Sequence, residues 1–408
     1  MNRSVDYRKR GQAVWLDSIS ARMIATGELA GRIAAGSVYG VTSNPTIFGQ
    51  AIGQGDGDYE DRIANLADEG KDAFGVYDEL TRGDIAAGAD LFAAQHAANP
   101  EDGWISLEVL PSLAFDIEGT IAEAKRLHRL LGRPNVFIKV PATPAGCVAV
   151  RQLIAAGVSV NVTLMFNRKH YRDVAHAYQA GIEALVAAGG DPSKVASVAS
   201  FFVSRVDTLV DKLLAERAAL ASGALKQKLE GLTGRAALAN AKVVYQDYLA
   251  AFGTDAWKAL ASKGARVQRP LWASTGTKNP AYSDLLYVEN LVGPDTVNTL
   301  PEKTLLALLD HGRDPGDTVL EGVDEARRTL DELAELGLDV EALGEKLQGE
   351  GVVLFERSYD ELLAVVEERR PAPPRGAAPT GRSRPPRREG PEPRPPPPRA
   401  HPPPPRPQ

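Results

Sequence analysis

The stretch Asn135-Val-Phe-Ile-Lys139-Val-Pro-Ala142 decides the fold. Val136, Ile138 and Val140 alternate with Phe137, Lys139 and Pro141, and in a strand that alternation sends the two sets to opposite faces. One face is apolar enough to pack under helices. The other aims a single ammonium group at whatever lies inside. A lysine taken out of water loses solvation, its pKa falls, and the neutral amine becomes a nucleophile toward a ketone or aldehyde. A strand-end lysine can also snorkel to solvent, so the other segments must decide between the two readings.

Seven further segments read as strands: Ala13–Asp17, Val38–Asn44, Trp104–Val109, Val158–Met165, Ala196–Ser204, Arg266–Thr275 and Thr296–Leu300. With Val136–Ala142 they make eight. Between them lie Ala-rich amphipathic stretches such as Ile117–Leu131, Asn167–Ala188 and Ser204–Leu220. Eight strands separated by helices predict an α/β chain, a closed parallel (β/α)8 TIM barrel. The segments Asp58–Asn99 and Ala221–Gly264 are too long for minimal crossovers and predict extra peripheral helices. Gly322–Arg369 adds more, with Leu330, Leu333 and Leu336 at helical spacing.

Of the 408 residues, 43% are hydrophobic, enough for one large domain over 1–370. The remainder, 371–408, holds 17 of the 29 prolines and has no apolar periodicity, so it reads as a disordered Pro/Arg-rich tail. A tail of this composition can dock proline-recognition domains, although a solvated appendage is the simpler reading. Its eight arginines face two glutamates, so the net charge of −6 conceals a body of −12. An acidic body without a basic stripe argues against nucleic-acid binding. No apolar run approaches the roughly 20 residues of a membrane span. Residues 1–10 are charged and carry no apolar core, so no signal peptide is expected. One cysteine, Cys147, excludes an internal disulfide and suggests the reducing cytoplasm. Nothing here separates a monomer from a homodimer.

In such a barrel the working groups stand at the C-terminal ends of strands. Here those ends supply Asp17, then Thr42-Ser-Asn44-Pro45, Glu108, Lys139, Asn161 with Thr163, Ser200 with Arg205, the run Ala273-Ser274-Thr-Gly276-Thr-Lys278, and Asn298 with Thr299. One polar strand end means little. A set converging on one mouth, with a lysine and two carboxylates, fits one reaction. The lysine forms an iminium with a ketose, and Asp17 removes the C4 hydroxyl proton so that the adjacent carbon–carbon bond breaks. Glu108 and Thr163 can hold the water of iminium formation and hydrolysis. Asn44 and Asn161 can fix sugar hydroxyls. Arg205 and Lys278, with backbone amides near Gly276, suit a phosphate.

The segment Gly40-Val-Thr-Ser-Asn-Pro-Thr-Ile-Phe48, the strand Ile138-Lys-Val-Pro-Ala-Thr143 with Gly146, and Asn161-Val-Thr163 together resemble transaldolase. The resemblance covers roughly residues 10–370. Trp272-Ala-Ser-Thr-Gly-Thr-Lys-Asn-Pro280 and Gly293-Pro-Asp-Thr-Val-Asn-Thr299 resemble the longer bacterial subgroup, some members of which are fused to a glucose-6-phosphate isomerase that this chain is expected to lack. The family implies a class I aldolase barrel needing no cofactor. It implies transfer of a dihydroxyacetone unit from sedoheptulose 7-phosphate to glyceraldehyde 3-phosphate, within the non-oxidative pentose phosphate pathway. It implies Lys139 as the Schiff-base residue, Asp17 as acid/base, and Glu108 working through water with Thr163. Asn44 and Asn161 match its substrate-binding amides, and Ser200 and Arg205 its phosphate-holding serine and arginine. The family commonly places a second arginine after its Ala-Ser motif. Here Ala273-Ser274 runs into Lys278, a point charge in place of a fork.

Lys278 is the rival nucleophile, but it follows its strand in a Gly/Pro turn. The rival functions are a fructose-6-phosphate aldolase that releases free dihydroxyacetone, and a dead barrel acting as an adaptor through its tail. The six histidines show no ligand spacing, which disfavours a metal-dependent aldolase. Asp56-Gly-Asp58 lacks the spacing of a calcium loop. Asn161-Val-Thr163 fits a glycosylation sequon but falls in a buried strand. No nucleotide-binding glycine loop is found.

Overall fold

All eight predicted strands form, and they pair in parallel in chain order until the last closes on the first. The computed structural model describes residues 2–53 and 57–371. The strands are β1 (Gln12–Leu16), β2 (Gly40–Val41), β3 (Trp104–Glu108), β4 (Val136–Pro141), β5 (Val160–Met165), β6 (Ser197–Phe202), β7 (Arg269–Ala273) and β8 (Thr296–Leu300). Opposed residues in parallel neighbours share a face. Glu108 stands opposite Lys139, and Lys139 opposite Asn161, so the register carries all three on the inner face. One pleat step below Asp17 and Lys139, Trp15 and Phe137 meet Trp104. Trp104 and Phe137 stack at 4.0 Å between centroids, and Trp15 and Phe137 at 6.2 Å. This aromatic floor seals the barrel beneath the polar strand ends.

β2 is shorter than the predicted Val38–Asn44. At Gly40 a methyl group would come within 2.6 Å of the Trp15 ring and 2.7 Å of the Trp104 carbonyl, so only glycine lets this strand lie against the floor. Past Val41 the chain turns within three residues. Ser43 sends its hydroxyl to the Ser106 carbonyl at 2.7 Å, and Asn44 caps the helix Pro45–Gly53 by accepting from the Ile47 N–H at 3.0 Å. A cap side chain that satisfies the helix end replaces the ladder.

Helices over Ile117–Leu131 and Ser204–Leu220 form as predicted. The Asn167–Ala188 prediction becomes Arg168–Ala187, with the Asn167 side chain as cap, accepting from His170 N at 2.7 Å. The long segment Asp58–Asn99 holds Glu60–Asp68 and Ala73–Ala98. Ala221–Gly264 holds Gly223–Gly231, Ala236–Phe252 and Asp255–Ala261. Gly322–Arg369 holds Val323–Glu335, which buries Leu333, and the 30-residue C-terminal helix Val340–Arg369. That last helix lies against the strand ends. Gln348, itself buried, donates to the carbonyls of Ala142 and Leu164 at 3.0 Å each. Its close approach needs Gly351, where an added Cβ would sit 3.0 Å from the Leu164 side chain.

Among the described residues no helix is long and apolar enough to cross a membrane. The predicted tail from Ala372 onward lies outside the described residues, as does Asp56.

Candidate active site

A cavity of about 320 Å³ opens at the C-terminal ends of the strands. It is lined by Asp17 beyond β1, Thr42 and Asn44 beyond β2, Lys139 of β4, Thr163 of β5, Ser200 and Phe202 of β6, and Thr299 of β8. Arg205, Ser274, Gly276 and Lys278 close one side, and Phe355 of the C-terminal helix another. A second cleft of about 330 Å³ lies between the helices Pro144–Ala155 and Arg168–Ala187 and the C-terminal helix, around Cys147 and His170. It has none of the converging strand-end groups.

Lys139 is only 4% exposed, so it does not snorkel to solvent. Its Nζ donates to the Ser43 carbonyl at 2.9 Å and lies 3.4 Å from Oε2 of Glu108. Burial raises the Glu108 carboxyl above its ordinary value, and the nearby Asp17 charge adds to this, while the Lys139 charge opposes both. Asp17 accepts from the Thr42 hydroxyl at 2.6 Å, and Thr42 in turn sits 2.6 Å from the Thr299 hydroxyl. Enclosure raises Asp17 as well, against the Thr42 hydrogen bond and the charges of Lys139 and Lys278. Two carboxyls with a weakened tendency to ionise therefore flank one amine, the arrangement that acid–base work around neutrality needs.

The opposite side is cationic. Arg205 is half-buried with its guanidinium 5.4 Å over the Phe202 ring, and among the described residues it has no carboxylate partner. Burial lowers its pKa, but a guanidinium stays charged at any ordinary pH. Lys278 is exposed and likewise unpaired among the described residues. Ser274 holds a left-handed φ of 56° and its hydroxyl meets that of Ser204 at 2.9 Å. A non-glycine residue in that region is costly unless its surroundings hold it. Two unmatched cations and a strained serine at one cavity wall suit an anion.

Glu108, Asn161 and Asn298 do not line the cavity. Glu108 borders a small adjoining void with Pro141, Leu164 and Phe355, and reaches the site through Lys139. Asn161 is fully buried beside it, donating to the Ser106 hydroxyl at 3.1 Å and accepting from Ser200 at 2.6 Å. Asn44 spends its carbonyl oxygen on the helix cap, which leaves the Nδ2 amide to offer a ligand. Asn298 falls on the other face from Thr299, opposite Trp272 and Val14, and accepts from Thr275. Phe355 was not singled out from the sequence, and Thr42 was named as a strand end without a role. Thr42 follows Val41 by one residue and was legible as a strand end. Phe355 lies 216 positions from Lys139, and no local signal places it at the mouth.

Residues 14–366 match the family profile described as Transaldolase/Fructose-6-phosphate aldolase. The chain is 48% identical over 361 residues to Transaldolase 1 of Streptomyces coelicolor, covering 88% of this chain and 92% of that protein. It is 46% identical over 362 residues to the Transaldolase of Saccharopolyspora erythraea, covering 88% and 95%. It is 47% identical over 365 residues to the Transaldolase of Parafrankia, covering 89% and 97%. With the lysine barrel, the paired carboxyls and the cationic wall in place, a profile match from the first strand to the C-terminal helix shows that the chain belongs to the transaldolase/fructose-6-phosphate aldolase family.

Proposed function

We infer that this cavity performs transaldolase chemistry through a Schiff base on Lys139. The observation that carries the reading is the buried Lys139 amine flanked by Asp17 and Glu108 and faced by two cations without acid partners. The amine attacks C2 of a ketose phosphate such as sedoheptulose 7-phosphate, loses a proton, and expels the C2 oxygen as water to leave an iminium. Glu108 accepts and returns that proton, with Thr163, whose buried hydroxyl has no partner among the described residues, holding the water. Asp17 takes the C4 hydroxyl proton and the C3–C4 bond breaks. Its electron pair stays on the three-carbon enamine while erythrose 4-phosphate leaves. The enamine adds to the aldehyde carbon of glyceraldehyde 3-phosphate, Asp17 returns the proton, and water frees fructose 6-phosphate from Lys139. Asn44 orients a sugar hydroxyl, Asn161 acts through the Ser200 hydroxyl that it holds at the cavity wall, and Arg205, Ser274 and Lys278 hold the phosphate. The single half-buried cysteine and the phosphorylated substrates fit a cytoplasmic enzyme of the pentose phosphate pathway.

Borohydride trapping with fructose 6-phosphate, followed by peptide mass mapping, tests this. The expected product is a reduced three-carbon adduct on the peptide holding Lys139, and Lys139→Ala should lose turnover by on the order of 10⁴-fold or more. An adduct on Lys278, or normal turnover by Lys139→Ala, would overturn the assignment. The family description also covers fructose-6-phosphate aldolase. The ratio of three-carbon transfer to release of free dihydroxyacetone separates the two activities.

A further inference from the structure

Lys278 stands on a loop with nothing of its own to hold it. Its side chain is exposed and has no hydrogen bond or ion pair among the described residues. It borders the catalytic cavity and also a second hollow of about 210 Å³, on the other side of the loop, formed with Asp207, Asp211, Tyr282 and Tyr287. Asp207 and Asp211 lie one turn apart on the helix Ser204–Leu220, the same helix that carries Arg205 in its first turn. Asp211 accepts from the Tyr282 hydroxyl at 2.5 Å and from the Gly234 N–H at 2.8 Å. Asp207 accepts from the Tyr287 hydroxyl at 2.8 Å and from the Ala237 N–H at 2.7 Å. The Tyr282 ring packs against Gly234, where an added Cβ would lie 2.8 Å away. Between Lys278 and Tyr282 the chain is tied into a turn, with Tyr282 N–H and Ala281 N–H donating to Asn279.

We propose that Asp211 and Tyr282 are positioning residues that latch the Lys278 loop to the helix bearing Arg205, and so fix the spacing of the two cations that hold the substrate's phosphate. The inference rests on the reading of Lys278 as a phosphate ligand. A lysine is a compact charge on a flexible stem, so its contribution depends on where its backbone is held. The latch supplies that constraint from outside the cavity. Both carboxylate oxygens of Asp211 are engaged, one by the loop and one by the chain before Ala236–Phe252, so three segments share one anchor. The Asp207–Tyr287 pair repeats the arrangement one turn earlier and holds the loop's far end.

The test compares Lys278→Ala, Tyr282→Phe, Asp211→Asn and the double variant Lys278→Ala/Tyr282→Phe, with fructose 6-phosphate and with unphosphorylated fructose as donors. Each single variant should raise KM for fructose 6-phosphate roughly three- to tenfold, the loss of one exposed charge-assisted contact, with kcat little changed. KM for fructose should not move, which a general loss of structure would not allow. The double variant should be no worse than Lys278→Ala, because the latch acts only through that lysine. A raised KM in Lys278→Ala with wild-type KM in Tyr282→Phe and Asp211→Asn would overturn the latch and leave the phosphate role standing. An unchanged KM in Lys278→Ala would overturn the phosphate role and the latch with it. Tyr282→Phe keeps the ring on Gly234, so it serves where Asp211→Asn fails to fold.

Discussion

At Asp17 one hydrogen bond opposes the effect of burial on a carboxyl. Enclosure raises its carboxyl, and the Thr42 hydroxyl at 2.6 Å is the strongest force pulling it back. In the proposed role of base for the C4 hydroxyl it must be ionised, so turnover should fall as pH drops through its raised pKa. A hydrogen bond to the ionised form is worth about 1–2 kcal/mol, or roughly one pKa unit. Thr42→Val should therefore move the acid limb of kcat/KM upward by roughly one pH unit, and Thr42→Ser should restore it. A limb that stays in place in Thr42→Val would mean another group is being titrated. The site itself was legible mostly as strand ends. Alternation assigned Asp17, Lys139 and Thr163 to the inner face because each follows a buried apolar neighbour on the outer one. It could not show that Asn161 has its amide engaged by Ser106 and Ser200, because those partners come from β3 and β6. Nor could it separate Asn298 from Thr299 without knowing which of two adjacent polar residues turns inward.

At the level of elements, the strands and crossover helices follow from the 2.0 and 3.6 periods, and the boundaries move only where a cap or a close contact intervenes. β2 is the clearest case, ended early by the Asn44 cap and thinned at Gly40 to fit Trp15. What the sequence did not reveal is where the C-terminal helix sits. Its heptad-spaced Gly344 and Gly351 mark a close face, but only the fold shows that the face meets Asn167 and Leu164. Its Phe355 is 4% exposed and borders both the catalytic cavity and the void beside Glu108. In the proposed mechanism a three-carbon enamine awaits an aldehyde while its iminium form escapes water, and an apolar cover over the carboxyl would slow that hydrolysis. Phe355→Ala should increase free dihydroxyacetone release relative to transfer several-fold, and also cost about 3–5 kcal/mol of stability from the emptied volume. Phe355→Leu, which keeps most of the cover, should hold the wild-type ratio. An unaltered ratio in folded Phe355→Ala protein would remove the helix from control of partitioning.

The whole molecule is organised so that its last helix belongs to the barrel. Arg369 donates to the carbonyls of Ile52 and Gly53, fastening the helix end to the helix that Asn44 begins. Leu347, Val352, Phe355, Leu362 and Val366 are buried along its length. Among the described residues, which end at 371, lie all eight strands of the barrel, the residues that line the cavity and this fastening. Removal of 372–408 leaves all of these described residues in place, and changes that spare the core usually stay within about 0.5 kcal/mol. A 1–371 protein should keep the wild-type kcat and KM and a Tm within about 2 °C. It should bind an anion exchanger more tightly, because eight arginines and only two glutamates leave with the tail. Cutting at Val340 instead should abolish turnover, since it strips the cover from Lys139's cavity and leaves the Ala142 and Leu164 carbonyls without the Gln348 amide. Turnover lost in the 1–371 protein would place part of the reaction in the tail. Turnover kept after the cut at Val340 would show that the strand ends alone exclude enough water for the chemistry.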